Sequence, residues 1–333
     1  MLNSHRTTGA APEGWPAGRT LPKGLSASSL ETFRSCERRF AYEKIEGLPS
    51  PPNTAAAAGT FVHQVLQYVM QLPPEQRELD VAMSHYDSIL RHVDTHAALL
   101  EKSGGQHEDV YSSIEDDGVR RLLRDYYESG AERDVFVEKS LAGLRGYFTM
   151  ENVDPKKVDV VCCEERVEAV VMTPSGEVPL RGEIDRVDRI PNGIRIVDYK
   201  NGKFPKPFRE DDGQQKFRNQ IAIYALLWEA ATGERPNAGG LVFTSEKQIL
   251  KVPIDDALLD GVRELLGKVW RDIQQKLQGF DYEPMTGPLC GWCPFVDRCP
   301  EGEEEVRWRA GKGTDKGGLR ADAPARGLLG LAI

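Results

Sequence analysis

The sequence has little cysteine, no long apolar run and no excess of positive charge. Its six cysteines among 333 residues are too few for a disulfide-dense scaffold. No stretch approaches the roughly 18 apolar residues that cross a bilayer, and residues 1–24 contain no apolar core typical of a secretory leader. The formal net charge of −9 excludes a polycation that holds nucleic acid by bulk charge, although a local basic groove stays open. We therefore expect a cytoplasmic protein that makes no membrane contact.

The sequence also lacks a nucleotide-binding loop. The segment from Gly261 to Gly267-Lys268 resembles a phosphate-binding P-loop only superficially, because Val269 stands where Ser or Thr is needed. Its glycines are also spaced wrongly, and it lies within a helical pattern. We therefore expect no ATP-driven activity from this chain.

The pattern of apolar and polar residues predicts an α/β fold. At 333 residues the chain exceeds the roughly 150 typical of one domain, so one large or two medium domains are expected. Helical spacing dominates up to about residue 150, and strand-like runs broken by turn signals follow it. We expect a mixed sheet flanked by helices, with its core at about 158–252 and a helical insertion at about 64–150.

The two ends of the sequence lack apolar periodicity. Residues 1–24 are rich in Gly, Pro, Ala and Thr, and the segment from Arg309 to Arg326 has a similar composition. We expect residues 1–24 and most of 301–333 to be disordered. A single domain over residues 25–300 then remains.

The run LRGEIDRVDRIPNGIRIVDYKNG, residues 180–202, predicts a β-hairpin that gathers charged side chains. Asn192-Gly193 is a strong signal for a two-residue turn, and a turn there would place Asp185 opposite Lys200. Strand side chains alternate between the two faces of a sheet. The side chains expected to share one face are therefore Glu183, Asp185, Asp198 and Lys200.

Such a cluster favours a bound cation. Neighbouring carboxylates repel, and one of them would take up a proton unless a hard divalent ion neutralised them. Mg²⁺ suits sparse carboxylate ligation because it keeps waters for substrate phosphates. A charged Lys200 beside it could stabilise a developing phosphorane or orient a water. The alternative is a surface ladder of ion pairs, since opposite charges across strands are common.

Three thiols stand close together near the end of the predicted domain, as Cys290-x2-Cys293-x5-Cys299. In a reducing compartment this spacing favours a metal over disulfides. Cys36, about 250 residues upstream, is the candidate fourth ligand. Four thiolates fit either tetrahedral zinc or a [4Fe–4S] cluster, and the spacing alone leaves both open.

Positive charge is concentrated just after the predicted hairpin. Between Tyr199 and Gln220 the basic residues are Lys200, Lys203, Lys206, Arg209, Lys216 and Arg218. The run KFPKPFR alternates basic and aromatic residues and could line a channel for a nucleic-acid strand, with Phe204 or Phe208 stacking on bases. A solvated loop after a strand explains the same pattern equally well.

Together these motifs resemble a known family. Gly182-Glu183-Ile184-Asp185 followed by Val197-Asp198-Tyr199-Lys200 is similar to the G-x-x-D … D-x-K core of the PD-(D/E)xK nuclease superfamily. Gly59-Thr60-Phe61-Val62-His63 and the Q-x-x-x-Y pair Gln220 and Tyr224 resemble motifs of its RecB-like branch. The resemblance runs from about Leu25 to Pro300 and implies a restriction-endonuclease-like core. It departs from the superfamily's name at Ile184, where a Pro would stand.

The resemblance implies a role for each matching residue. The metal ligands would be His63, Asp185, Asp198 and the backbone carbonyl of Tyr199. Lys200 would be catalytic, with Gln220 and Tyr224 assisting. Glu183 and Glu165 are weaker candidates near the metal. Taken alone, a histidine on a helix is more often a packed or capping residue, and the Gln–Tyr pair, four residues apart on one helix face, is as often core.

The resemblance also favours iron–sulfur over zinc. In the RecB-like branch a lone N-terminal cysteine and a C-terminal C-x2-C-x5-C hold a [4Fe–4S] cluster, which corresponds here to Cys36, Cys290, Cys293 and Cys299. Its role would be structural, because it would join the two ends of the domain. Glu37 stands where the branch often has Pro after the first cysteine.

The implied activity is Mg²⁺- or Mn²⁺-dependent hydrolysis of DNA phosphodiester bonds, as an exonuclease in repair, recombination or related processing. The substrate would be single-stranded DNA or a duplex with an end, and a helicase or repair protein would be a partner. One alternative is a non-catalytic DNA-binding or scaffold module on the same fold. Another is a spacer-processing nuclease of the CRISPR type. The complete set of catalytic positions favours an enzyme.

Overall fold

The computed structural model describes residues 20–50, 52–102, 110–111, 114, 116–150, 154–205, 213–279 and 282–311. Most of the predicted N-terminal tail, and residues 312–333 of the predicted C-terminal tail, lie outside these ranges. The first part of the predicted C-terminal tail forms a helix that spans Pro300–Gly311. Glu301 and Glu303 in its first turn favour helix formation there, since their charge complements the helix dipole.

A five-stranded mixed sheet forms the centre of the molecule. Its strands are β1 (Asp159–Thr173), β2 (Gly176–Ile190), β3 (Gly193–Lys200), β4 (Ala238–Phe243) and β5 (Gln248–Pro253). They lie in sequence order, and all neighbours are antiparallel except β3 and β4. The predicted α/β fold with a mixed sheet is confirmed.

Along the chain, helices come before the first strand, between β3 and β4, and after the last strand. The longer helices are α1 (Ala27–Ser35), α2 (Thr54–Gln71), α3 (Leu79–Lys102), α4 (Asp117–Glu128), α5 (Arg133–Phe148), α6 (Gln215–Thr232), α7 (Asp256–Gly279) and α8 (Pro300–Gly311). Ser26 caps the start of α1, because its side-chain oxygen accepts the Ser29 N–H at 3.1 Å. Helix α6 connects the parallel strands β3 and β4, which need a crossover rather than a tight turn. None of the helices in the described part of the chain combines the length and apolarity that a bilayer crossing needs.

The sheet separates two apolar cores. On one face α1, α6 and α7 bury side chains such as Phe40, Ile196 and Trp270. On the other face the helical part, α2 to α5, packs around Phe61 and Tyr147 and against the end of β3. The helical insertion is therefore a full layer of the domain, since its apolar residues share one core with the sheet.

The register of the β2–β3 hairpin differs from the prediction by two residues. Ile190 pairs with Gly193, so the turn residues are Pro191 and Asn192 rather than Asn192 and Gly193. Proline presets the φ of the first turn position, and Gly193 follows the turn at a φ of 137°. A shift of two residues keeps each side chain on its face, because the side-chain period of a strand is two.

Helix α5 lies unusually close to the carboxyl ends of β3 and β4. A Cβ atom at Gly146 would lie 2.0 Å from the Thr244 carbonyl oxygen, and one at Gly143 would lie 2.2 Å from Asn201 Oδ1. Thr244 in turn donates its N–H to the Lys200 carbonyl oxygen at 2.8 Å. The two glycines thus allow a helix to pack directly behind the last residue of β3.

Candidate active site

Two buried aspartates meet where β2 and β3 run side by side. Asp185 Oδ2 accepts the Tyr199 N–H at 2.6 Å, so its carboxylate is tied to the backbone between Asp198 and Lys200. Asp198 is 1% exposed, and its Oδ2 lies 2.8 Å from Lys200 Nζ. The hairpin therefore brings together three of the charged side chains that the sequence predicts to meet.

Helix α6 positions the second of these aspartates. Gln220 Nε2 donates to Asp198 Oδ1 at 2.7 Å and lies 3.2 Å from the Tyr224 hydroxyl oxygen. A Cβ atom at Gly182 would lie 3.1 Å from the Tyr224 ring, so this glycine makes room for the tyrosine against β2. Gln220 and Tyr224 thus support the aspartate in this structure.

His63 on α2 completes a group of possible metal ligands. Its Nε2 donates to the Tyr199 carbonyl oxygen at 3.0 Å, which leaves Nδ1 facing Asp185 Oδ2 at 3.5 Å and Glu164 Oε1 at 3.6 Å. One ligand atom from each of His63, Glu164 and Asp185 lies within 4.8 Å of the others. Asp198 stands beside this group with its two oxygens held by Gln220 and Lys200.

Glu164 is a candidate ligand that the sequence reasoning missed in favour of Glu165 and Glu183. It has a φ of 49°, close to the point where the β1–β2 register shifts, so strict alternation does not predict where it points. The tandem of two glutamates within an apolar strand is the available signal. Glu183 instead lies 3.4 Å from Arg121 and 3.5 Å from Arg166, and Glu165 pairs with Ile184 across the strands.

The charges of the group control the pKa values of its members. Burial would lower the pKa of His63, but the negative charge of Asp185, joined by Glu164 and Asp198, outweighs it and raises the pKa to about 9. Burial raises the pKa of Asp198 to about 6, although Lys200 opposes the shift. Burial likewise raises the pKa of Asp185. Without a cation the site therefore holds protons at neutral pH.

Lys200 remains a cation in this environment. Burial would lower the pKa of its ammonium group, but Asp198 and Asp185 outweigh burial and raise that pKa. A protonated lysine can stabilise negative charge or orient an oxygen, whereas it cannot accept a proton. The geometry thus supports an electrostatic role for Lys200 more than a role as a base.

The donor set suits a hard or borderline divalent ion. Carboxylate oxygens are the ligands that Mg²⁺ and Mn²⁺ prefer, and an imidazole nitrogen is accepted by first-row transition metals. Once the second imidazole proton is displaced, Nδ1 of His63 can present a lone pair to such an ion, because Nε2 keeps the proton that it donates to the Tyr199 carbonyl oxygen. The residues present therefore fit the metal that the family resemblance implies.

The group lies in a cavity of about 680 Å³ between the sheet and the helical part. The charged and polar residues that line it include His63, Arg121, Lys139, Glu164, Glu183, Asp185, Lys200, Asn201 and Lys203. The walls come from α2, α4 and α5 on one side and from β1 to β3 on the other. Both signs of charge therefore face one cavity.

The basic loop after β3 is described only in part. Lys206, Phe208 and Arg209 lie outside the described residues. Phe204 is half-buried, and its ring packs edge-on against Phe243 at 5.1 Å. Base stacking by Phe204 or Phe208 stays a prediction. Lys203 is exposed at the cavity wall, as a phosphate contact would require.

The structure brings the N-terminal segment to the cysteine-rich loop. Cys36 Sγ accepts the Met285 N–H at 3.5 Å, and Cys290 Sγ accepts the Gly287 N–H at 3.4 Å. Burial raises the pKa of the Cys293 and Cys299 thiols. Cys36 and the cysteines of this loop thus lie at one end of the domain.

Contacts that need no metal hold the same two segments together. Arg38 Nε donates to the Tyr282 carbonyl oxygen at 2.6 Å, and the Tyr42 hydroxyl donates to the Arg298 carbonyl oxygen, also at 2.6 Å. Lys276 and Glu37 form an ion pair at 2.7 Å. We call Cys36–Leu48 and Tyr282–Cys299, with these contacts, the cysteine clasp.

Two known proteins are similar to this chain in sequence. Over 298 residues the chain is 24% identical to the Gene 69 protein of Mycobacterium phage L5, covering 85% of this chain and 98% of that protein. It is 29% identical over 189 residues to one subunit of the ATP-dependent helicase/deoxyribonuclease of Streptococcus mutans, covering 55% of this chain but 14% of that one. This second match accords with the RecB-like branch.

A solved structure and a family model extend the comparison. A protein from Eubacterium rectale, provisionally described as an exonuclease, superposes with a TM-score of 0.38 at 15% identity, covering 79% of this chain and 84% of that one. The model of the PD-(D/E)XK nuclease superfamily matches residues 24–300, which include the sheet, the ligand group and the cysteine clasp. The chain therefore belongs to the PD-(D/E)XK nuclease superfamily.

Proposed function

We propose that this protein is a divalent-metal-dependent deoxyribonuclease of the RecB-like type. The observation that carries the proposal is the ligand group of His63, Glu164 and Asp185, which lies beside the buried Asp198–Lys200 pair in one cavity. A Mg²⁺ or Mn²⁺ ion bound there would polarise a phosphate and lower the pKa of a water. These are the two requirements of phosphodiester hydrolysis.

The protein's own residues would hold the ion and arrange the reacting oxygens. His63, Asp185, Asp198 and the Tyr199 carbonyl are the proposed ligands, with Glu164 added by the structure. Lys200, kept protonated by Asp198 and Asp185, would stabilise the charge that grows on the phosphate oxygens. Gln220, backed by Tyr224, would keep Asp198 oriented for its part in the site.

We propose that the substrate is DNA presented as a single strand or at a duplex end, and that cleavage is exonucleolytic. A cavity of about 680 Å³ bounded by both layers of the domain favours a strand over an intact duplex. The match within the helicase/deoxyribonuclease spans 14% of the matched polypeptide, and no nucleotide-binding loop stands in this chain. We therefore propose that a separate helicase or repair protein supplies the strand, in the cytoplasm.

We further propose that the cysteine clasp holds a [4Fe–4S] cluster. Backbone N–H donors already point at Cys36 and Cys290 sulfurs, a feature of iron–sulfur sites. The spacing Cys290-x2-Cys293-x5-Cys299 together with the distant Cys36 also matches the cysteine pattern that the family resemblance associates with such a cluster.

The test is cleavage of end-labelled single-stranded and double-stranded DNA by anaerobically purified protein, with Mn²⁺ and with EDTA. Asp198→Ala and Lys200→Ala should each lower the Mn²⁺-dependent rate by about a hundredfold or more, as losing a group aimed at developing charge does. The matched control is Lys268→Ala, an exposed residue of α7. It should keep the wild-type rate.

Full Mn²⁺-dependent activity in either active-site variant would overturn the proposal. So would tight DNA binding without cleavage by the wild-type protein, since this would indicate a non-catalytic module. The position of the label separates the modes of cleavage. An exonuclease releases the end label first as mononucleotides or short products, whereas an endonuclease first produces internal fragments.

A further inference from the structure

Arg121 is a cavity residue that the proposed chemistry does not use. It lies on α4, in the helical part, and its Nη1 is 3.4 Å from both carboxylate oxygens of Glu183. These contacts are long for a charge-assisted hydrogen bond, which is normally about 2.7–2.9 Å. Among the described residues its buried Nε has no hydrogen-bond partner. The guanidinium is therefore short of acceptors where it borders the cavity.

Glu183 is in a similar position. Its carboxylate lies between Arg121 and Arg166, at 3.4 Å and 3.5 Å, and neither contact has ideal geometry. The side chains of Arg121 and Glu183 are 36% and 31% exposed, so a ligand in the cavity can reach both. One carboxylate is thus shared between two arginines at the cavity wall.

The position of Glu183 relates this pair to the ligand group. Glu183 precedes Asp185 by two residues in β2, so the two side chains share a face and lie about 6.6 Å apart along the strand. That distance is comparable to the step between neighbouring phosphates on a nucleic-acid strand. A strand with one phosphate at the ligand group can therefore place the next phosphate at Arg121.

Helix α4 packs closely on α2 beside the ligand group. A Cβ atom at Gly118 would lie 2.7 Å from Gln64 Oε1, and Gln64 adjoins His63 on α2. Asp125 lies on the same helix, one turn after Arg121. Burial raises the pKa of Asp125, and the positive charge of Arg121 opposes this shift. Arg121 thus stands on a helix that contacts the helix carrying His63.

We propose that Arg121 binds the phosphate next to the scissile one, and that Glu183 holds this subsite until a strand arrives. A guanidinium matches two oxygens of a phosphodiester with parallel hydrogen bonds, better than the long contacts it makes to Glu183. The ligand class is the sugar–phosphate backbone, independent of base sequence. This inference rests on the proposed function, since it deepens the same site.

The test measures binding of a fluorescent single-stranded oligonucleotide by anisotropy, with Ca²⁺ in place of Mn²⁺. Arg121→Ala should weaken binding about tenfold, the effect of losing one charge-assisted hydrogen-bond pair. The dependence of log affinity on log salt should become shallower by about 0.7, which corresponds to one phosphate contact on a single strand. Glu183→Gln should tighten binding several-fold, because it frees Arg121.

Single neutral methylphosphonates, placed in turn on either side of the scissile position, identify the contact. At one position the substitution should weaken wild-type binding about tenfold and leave Arg121→Ala unaffected. Arg271→Ala on α7 is the matched control, because Arg271 is exposed and α7 packs on the opposite face of the sheet. It should bind every oligonucleotide as the wild type does.

The outcomes separate this inference from the proposed function. Wild-type binding and Mn²⁺-dependent cleavage with no effect of Arg121→Ala would overturn the subsite and leave the nuclease intact. An equal loss for all oligonucleotides, or weaker binding in Glu183→Gln, would also overturn it. No cleavage by the wild type would overturn the proposed function instead. Arg121→Lys, which keeps the charge but loses the fork, should show an intermediate loss if Arg121→Ala fails to fold.

Discussion

At the scale of single residues, the ligand group is costly to the folded chain when no cation is bound. His63, Glu164 and Asp185 are largely buried around one small volume, so charges of like sign face one another. The folded protein relieves this by taking up protons, which is why the pKa values of both His63 and Asp198 are raised. A divalent cation would replace those protons, so the site couples metal, pH and stability.

We predict that the metal-free protein becomes less stable as the pH rises. The pKa of Asp198 is about 6 in the folded protein, against an ordinary value of 3.8. The stabilisation that its protonation gives to the folded state is therefore present below pH 4 and is lost as the pH rises through 6. His63 has a folded-state pKa of about 9 against 6.5, so its contribution, up to about 3 kcal/mol, is lost as the pH rises through 9. Melting temperatures in EDTA across pH 5–9.5 measure both.

The variant His63→Gln measures how much of this pH dependence of stability comes from His63. In EDTA, His63→Gln should flatten the decline between pH 6.5 and 9, while Mn²⁺ should reverse the decline in the wild type, because the ion binds the deprotonated ring. His85 on α3, whose imidazole stacks on Tyr68 at 3.7 Å, provides the control position: His85→Gln should leave the decline between pH 6.5 and 9 in place. Identical pH profiles for the wild type and His63→Gln would contradict the prediction.

At the scale of elements, the close packing of α5 positions the end of β3. Gly143 and Gly146 let the helix approach Asn201 and Thr244, whose backbone N–H holds the Lys200 carbonyl oxygen. The helical part therefore does more than enclose the cavity. Through this contact it sets where the strand that carries Asp198 and Lys200 ends.

We predict that Gly146→Ala destabilises the protein by about 3 kcal/mol or more. Its Cβ would lie 2.0 Å from a backbone oxygen of Thr244, so helix or strand must move. The control is Gly261→Ala on α7, whose Cβ would meet nothing within 4 Å. Gly261→Ala should stabilise the protein by about 0.5–1 kcal/mol, since alanine has a higher helix propensity than glycine. Urea unfolding measures both, and equal stability of the two variants would contradict the packing argument.

At the scale of the whole molecule, the cysteine clasp joins segments that are far apart in sequence. Arg38 contacts Tyr282, and Tyr42 contacts Arg298 and the Phe295 ring. These contacts connect the segment after α1 with the segment after α7, and the two helices cover the same face of the sheet. A bound cluster would add to an association that the chain already makes.

We predict that Cys36→Ala abolishes the cluster and loosens the clasp without unfolding the sheet. Iron and acid-labile sulfide should fall to near zero in anaerobically purified protein, and the loop at Gly287–Cys293 should become sensitive to limited proteolysis. The contacts of Arg38 and Tyr42 need no metal, so the melting temperature should fall by several degrees only. Cys162→Ala, in β1, should keep its iron. Zinc in place of iron in the wild-type protein would contradict the prediction.

Several features could be predicted because they depend on local patterns. The alternation of apolar and polar residues, together with turn residues, identifies the strands. The predicted register of β2 against β3 differs from the observed one by two residues. Asn192-Gly193 is the stronger turn signal in the sequence, but the turn in the structure is formed by Pro191 and Asn192. Helix formation over Pro300–Gly311 was missed because its polar composition resembles that of a tail.

The sequence by itself determined that Asp185, Asp198 and Lys200 share a face, since the side-chain period of a strand is two and a register shift of two residues preserves it. Only the tertiary structure decided that Glu164 rather than Glu165 joins His63, because a left-handed backbone at Glu164 breaks the alternation. It also decided that Phe204 packs inward and that Arg121 borders the cavity from a separate helix. These side-chain positions depend on how the helices pack on the sheet, and the local pattern of apolar and polar residues does not encode that packing.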